Sequence, residues 1–190
     1  RIVGGFLAAM VLGIFLGGLS ARCRPVREFL APAVVTVKAI PVASFVILVL
    51  IWVSSRNLSV VISFLMVFPV IYTNILEGIG STDKKLLEMA QVFGLSPLRK
   101  IRYIYVSQVL PFFQAGCSIA LGLCWKAGVA AEVIGIPDGS IGEKLYKAKV
   151  YLDTPDLFAW TLVIILVSLI FEKVFLAGIK KCVRYLERNG

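Results

Sequence analysis

Glu88-Met89-Ala90-Gln91-Val92-Phe93-Gly94-Leu95-Ser96-Pro97-Leu98-Arg99-Lys100-Ile101-Arg102 is a polar, basic, helix-forming stretch held between two long apolar runs. Ser81 and Asp83 precede good helix formers from Lys84 to Phe93, with Leu86, Leu87, Ala90 and Phe93 on one side. Gly94 can take the left-handed conformation that ends a helix. Ser96 can cap the next helix, with Pro97 at its first position. Two short helices meeting at a sharp corner follow from these residues, within a loop of about residues 81–108. A solvated basic connector would not need such a capped corner.

The composition points to a membrane. The chain is 59% hydrophobic and 16% charged, with a mean hydropathy of +0.91; a soluble domain is about half apolar and about a quarter charged. Runs of roughly twenty apolar residues are long enough to cross a bilayer. There is no histidine, which excludes histidine-based acid–base catalysis and metal ligation within the chain. Cys117 and Cys124 sit two turns apart on one run, about 10 Å along a helix, too far to bridge. Cys23 and Cys182 fall in segments expected to face a reducing cytoplasm. No cysteine pair has metal-ligand spacing, so neither metal nor cofactor is expected. The net charge of +9 is explained by where the basic residues fall, with no need for nucleic acid.

Five apolar segments are expected: Ile2 to Leu19, about Phe29 to Val53, Leu58 to about Leu76, about Val109 to Ile136, and about Leu157 to Gly178. Arg22, Arg24 and Arg27 fill the first loop; Lys84, Lys85, Arg99, Lys100 and Arg102 the third. Lys180, Lys181, Arg184 and Arg188 fill the tail. The second loop has only Arg56, and the fourth balances Lys144, Lys147 and Lys149 against Asp138, Glu143, Asp153 and Asp156. The positive-inside rule then puts the C-terminus in the cytoplasm and the N-terminus outside. An external start on Arg1 predicts one or more spans upstream, so residues 1–190 are read as one transmembrane domain lacking them.

Small residues mark where helices can approach closely. Gly5, Ala9, Gly13 and Gly17 recur every fourth position, and Gly116, Ala120, Cys124 and Gly128 repeat the device. Packing within the chain and a dimer seam both fit. In the second segment Pro32 and Pro41 bracket Lys38, with Thr36 between. That predicts a kinked span, or a short interfacial helix before the span proper, which would also place Lys38. Lys126 and Glu132 lie within the fourth segment, about 120° apart on a helix, and are candidate pathway residues. Each could instead be structural, with Glu132 near the outer interface. Ile141, Leu145, Ala148 and Leu152 follow helical spacing, an amphipathic helix on the outer surface where lipid or a delivering protein would lie.

An acid, a glycine six positions later, Ser-Pro and then basic residues resembles the cytoplasmic coupling loop of permease subunits in binding-protein-dependent ABC importers. Nearly the whole chain resembles the nitrate/sulfonate/taurine-type permeases, also through Trp125 to Gly135 and Ile141-Gly142 to Asp153-Thr154. Glu88 matches the family's acid, Ala90 its second alanine and Gly94 its glycine, while Met89 stands where alanine is usual. The Leu-Pro pair usual near Val106-Ser107 is missing there, and Leu110-Pro111 follows one turn later.

The resemblance implies an all-α polytopic transmembrane bundle of about five spans with a cytoplasmic coupling helix-turn-helix, the MetI-like permease architecture. It implies that Glu88, Met89, Ala90, Gly94, Leu95 and Ser96 meet a cytoplasmic ABC ATPase. A second permease subunit, usually identical, and an external solute-binding protein would complete the importer in a bacterial cytoplasmic membrane. The solute would be small and anionic or organic, such as nitrate, a sulfonate or taurine. The chain has no Walker-type phosphate loop, so it is expected to be a non-catalytic subunit. The rival reading is an ion-coupled carrier or channel acting alone, with Glu132 and Glu77 as its carboxylates near spans.

Overall fold

The computed structural model describes the backbone of residues 1–188 and the side chains of residues 1–181, so the side chains of Cys182, Arg184 and Arg188 lie outside the described residues. The regular elements described are helices. They are α1 (Ile2–Arg22), α2 (Arg24–Ala39), α3 (Val42–Trp52), α4 (Ser55–Gly80), α5 (Lys84–Val92), α6 (Pro97–Lys100), a π-helical turn (Ile101–Tyr105), α7 (Val106–Gly135), α8 (Ile141–Val150) and α9 (Thr154–Arg188). Four helical stretches are long and apolar enough to cross a membrane, and a bent pair makes up to five.

That bent pair is the second segment, broken where Pro41 stands. Residues 29–53 do not form one straight helix: α2 and α3 meet at 111° across Ile40–Pro41, as a broken span or a re-entrant loop. Pro41 has no N–H to continue a helix, and it pushes Ile40 into an extended conformation at φ −73°, ψ 128°. Pro32 stays inside α2, where Thr36 Oγ1 donates to the Pro32 carbonyl at 2.8 Å. At about 16 Å, α3 is half the length a bilayer needs. It packs Val46 and Val49 against Leu58 and Ile62 of α4 and Ala127 and Ala131 of α7. Lys38 is exposed and donates to Thr73 Oγ1 at 3.3 Å, about 10 Å before the end of α4.

Glycines set the directions of the long helices. Along α1, Gly5 stands against Val60 and Ser63, Gly13 against Ile71, and Gly17 against Ile75. Position advances together on both, so α1 and α4 run parallel. Along α7 the order reverses: Gly116 meets Asn74, Gly128 meets Ser63 and Ile2, and Gly135 meets Leu58. The α1 stripe, with Ala9 fully buried, is therefore spent inside the chain, and so are Gly116, Ala120 and Gly128 of α7. Leucine-sized side chains would hold these backbones apart, whereas glycine lets them touch. Phe6 closes the core edge-on to Phe175, ring centroids 5.0 Å apart.

These directions sort the charges between two ends. One end gathers Arg22, the α2 start with Arg24 and Arg27, the α5–α6 corner, and Lys180 and Lys181. The other holds Arg1, whose guanidinium donates to the Asp138 carbonyl at 3.2 Å, the start of α4, and α8.

Candidate functional site

The α5–α6 corner is built by local chemistry. Asp83 caps α5, its carboxylate accepting from the Lys85 N–H at 2.9 Å. At the other end Leu95 N–H reaches the Ala90 carbonyl at 2.9 Å and Gly94 N–H the Gln91 carbonyl at 3.1 Å. This paired closure needs a left-handed residue between helix and exit, and Gly94 supplies it at φ +63°. Pro97 opens α6. Ser96 holds the N-cap position, but its hydroxyl accepts no capping bond, unlike the sequence expectation. The chain then runs through the π turn into α7 as one continuous helical stretch, Pro97–Gly135, with Pro111 inside it.

The corner turns apolar side chains to solvent. Ala90 is fully buried and Leu86, Leu87 and Leu95 are half-buried. Glu88 is exposed, Met89 is 48% exposed, Val92 84%, Phe93 75% and Leu98 79%. Phe93 thus faces out rather than joining Ala90, although its N–H still closes the last helical bond to the Met89 carbonyl at 3.0 Å. Val92 and Leu98 were not anticipated as surface residues here. Lys84, Lys85 and Arg99 surround this patch, also exposed.

The span charges fall at two separate places. Glu132 is buried, its Oε2 accepting the Gly142 N–H at 3.3 Å where α8 folds back on α7. Lys126 is exposed on α7 and borders a cleft of about 350 Å³ against α9, with Trp125, Ser168 and Glu172 among its walls. The structure does not bring Lys126 and Glu132 together. Glu172 was missed in the sequence: Ser118 Oγ donates to its Oε1 at 2.8 Å, half-buried between α7 and α9. The available signal was Glu172-Lys173 interrupting the last apolar run. Glu77 is exposed one turn before the end of α4.

At the opposite end α8 is capped by Ser140, whose Oγ accepts from the Glu143 N–H at 3.0 Å. Glu143 in turn accepts the Gly139 N–H at 2.7 Å and pairs with Lys147. The Lys147 hydrogen bond, then that of Gly139, holds the Glu143 carboxyl below its usual range; the carboxylate in turn raises Lys147. Leu152 departs from the expected face. α8 closes through Asp153 N–H to the Ala148 carbonyl at 2.9 Å, leaving Leu152 left-handed at φ 55° and 87% exposed.

A sequence profile for "Binding-protein-dependent transport system inner membrane component" matches residues 9–178. A probable ABC transporter permease of Brucella abortus is 26% identical over 99% of this chain and 75% of its own length. A putative aliphatic sulfonates transport permease of Bacillus subtilis is 26% identical over 100% of this chain and 66% of its own. A taurine transport system permease of Escherichia coli is 27% identical over 90% and 62%. The chain belongs to the family of binding-protein-dependent transport system inner membrane components, as a non-catalytic, multi-pass permease subunit of an ABC importer with the all-helical MetI-like fold.

Proposed function

We propose that the α5–α6 corner is the surface through which this permease is driven by its ATPase, with the corner and the C-terminus in the cytoplasm. Family membership brings an ATPase and an external binding protein as partners in general terms. The observation that carries the reading is the exposed group Met89, Val92, Phe93 and Leu98 on a corner fixed by Gly94. Apolar side chains on a rigid, basic, water-facing turn give a partner something to grip. Glu88, Met89, Gly94, Leu95 and Ser96 are its contact residues; Ala90 supports them from beneath. Nucleotide-driven movement of the corner would pass along the continuous helix Pro97–Gly135 to the spans.

The chain acts as one transmembrane domain beside a second permease subunit, taken as an identical copy, in a lipid bilayer. The solute is small and anionic or organic, of the nitrate, sulfonate or taurine kind, a reading supported by the sulfonate and taurine relatives. Lys126 is its pathway contact, an exposed cation on a span. Glu132 serves the α7–α8 junction, which weakens the ion-coupled carrier alternative that relied on it.

Orientation is the test. In a Cys23→Ser, Cys182→Ser background, Lys149→Cys should react with an impermeant thiol reagent applied to intact cells. Ser96→Cys should react only after the membrane is opened. Lys149 is exposed, whereas Ser140 is buried and caps α8. The reverse labelling pattern would overturn the assignment.

A further inference from the structure

An apolar groove of about 750 Å³ opens between α1, α4, the π turn with the start of α7, and α9. Met10, Ile14, Ile79, Val109, Phe113 and Phe175 form much of its wall. Protein interiors pack densely, so a hollow of this size is a place for another molecule. Water needs several polar partners to stay in a cavity, and these walls offer almost none. The occupant is therefore apolar along most of its length.

What lies beyond the groove identifies the rest of the occupant. Arg22 follows Gly18 of the groove by one turn of α1, and Lys181 follows Val174 by two turns of α9, on the same side of that helix. Both are exposed, and neither is paired with a carboxylate among the described residues. The groove thus runs from mid-bundle to a cationic rim. Gly18 and Gly178 border it without obstruction, since a Cβ at either would meet nothing within 4 Å.

We propose that this groove binds one acyl chain of an anionic phospholipid, with the lipid phosphate held by Arg22 and Lys181. Basic pockets between spans hold such headgroups by charge and by chain burial together. The cations at the rim favour a lipid phosphate over an apolar helix of another chain. Ile101 and Tyr105 of the π turn lie in the wall, so the bound chain touches the segment that joins the corner to α7. The site stands whether or not the ATPase reading holds.

The protein purified in neutral detergent is titrated with dioleoyl phosphatidylglycerol or dioleoyl phosphatidylcholine and weighed intact by native mass spectrometry. One phosphatidylglycerol should be retained in preference to phosphatidylcholine. Arg22→Gln and Lys181→Gln should each weaken phosphatidylglycerol about five-fold and leave phosphatidylcholine unchanged. Gly18→Leu with Gly178→Leu, which grow into open space, should remove the retained lipid without lowering the melting temperature of the delipidated protein. Equal retention of the two lipids, or full retention in the leucine variant, would overturn the proposal. So would a dimer that the leucines split while lipid binding is unchanged, since that result assigns the groove to a second copy.

Discussion

Glu132 and Gly142 are locked together: the Glu132 carboxylate accepts the Gly142 N–H, and a Cβ on Gly142 would run into the Glu132 side chain and backbone. The pair clamps α8 across the end of α7. Adding one methyl in Gly142→Ala should cost about 1–3 kcal/mol by overpacking. Glu132→Leu should cost a similar amount, about 1–3 kcal/mol, by leaving a buried N–H unsatisfied. Thermal unfolding in detergent reads both, and an unchanged midpoint for Gly142→Ala would contradict the close approach.

The seam between α1 and α4 makes a second case. A Cβ on Gly13 would already lie 2.9 Å from Ile71 Cγ2, and one on Gly17 2.8 Å from Ile75 Cγ2. Gly13→Leu should lower stability by at least about 1–3 kcal/mol. Gly4→Leu, on the same helix with nothing within 4 Å, should melt like the parent. Equal effects of the two in the same unfolding measurement would rule out the parallel seam.

Acid should loosen α8. Glu143 has its carboxyl lowered from the usual 4.5, first by Lys147 and then by the Gly139 N–H. A lowered folded value adds stability above the unfolded value, and that stability is lost as pH falls through the folded one. Lys147, raised, contributes below its ordinary range of about 10.4 and loses this only at more alkaline pH. Amide protection of α8, corrected for intrinsic exchange, should stay level from about pH 6 to 9 and decline below the usual glutamate range. Glu143→Gln should abolish that acid-side decline; a decline that persists would place the switch elsewhere.

Lys126→Met should cut solute uptake about ten-fold or more in reconstituted vesicles, while insertion and ATPase recovery stay at parent levels, because the side chain is exposed. Loss of roughly 1.4 kcal/mol of favourable charge interaction corresponds to that factor. Unchanged uptake would remove Lys126 from the pathway.

Local chemistry was readable and tertiary partnership was not. Asp83, Gly94 and Pro97 announce the corner because caps and left-handed closures depend on a few adjacent residues. The long spans follow from run length, and Pro41 marks a break although nothing local gives its 111° direction. Helical spacing groups Phe93 and Leu152 with apolar faces, but Leu152 lies past the end of α8 in a left-handed conformation, and Phe93, the last residue to close a bond of α5, is exposed. The bond between Glu132 and Gly142 crosses a turn and another helix boundary, so spacing along α7 could not reveal it. Glu172 was hidden by the apolar neighbours that define its span, and its partner Ser118 comes from α7.

Recovery of the ATPase with the tagged permease, from detergent-solubilised native membranes, bears most directly on the coupling corner. Gly94→Val has open space around it and acts only through the φ of +63°, a conformation that costs a β-branched residue about 1–2 kcal/mol or more. Glu88→Ala removes an exposed charge beside Met89. Both variants should insert at parent levels, since the corner lies outside the packed spans, and both should lose at least about nine-tenths of the co-purified ATPase, equivalent to roughly 1.4 kcal/mol of docking. Parent-level ATPase recovery in both variants would make the α5–α6 corner a connector and contradict its role as the coupling surface.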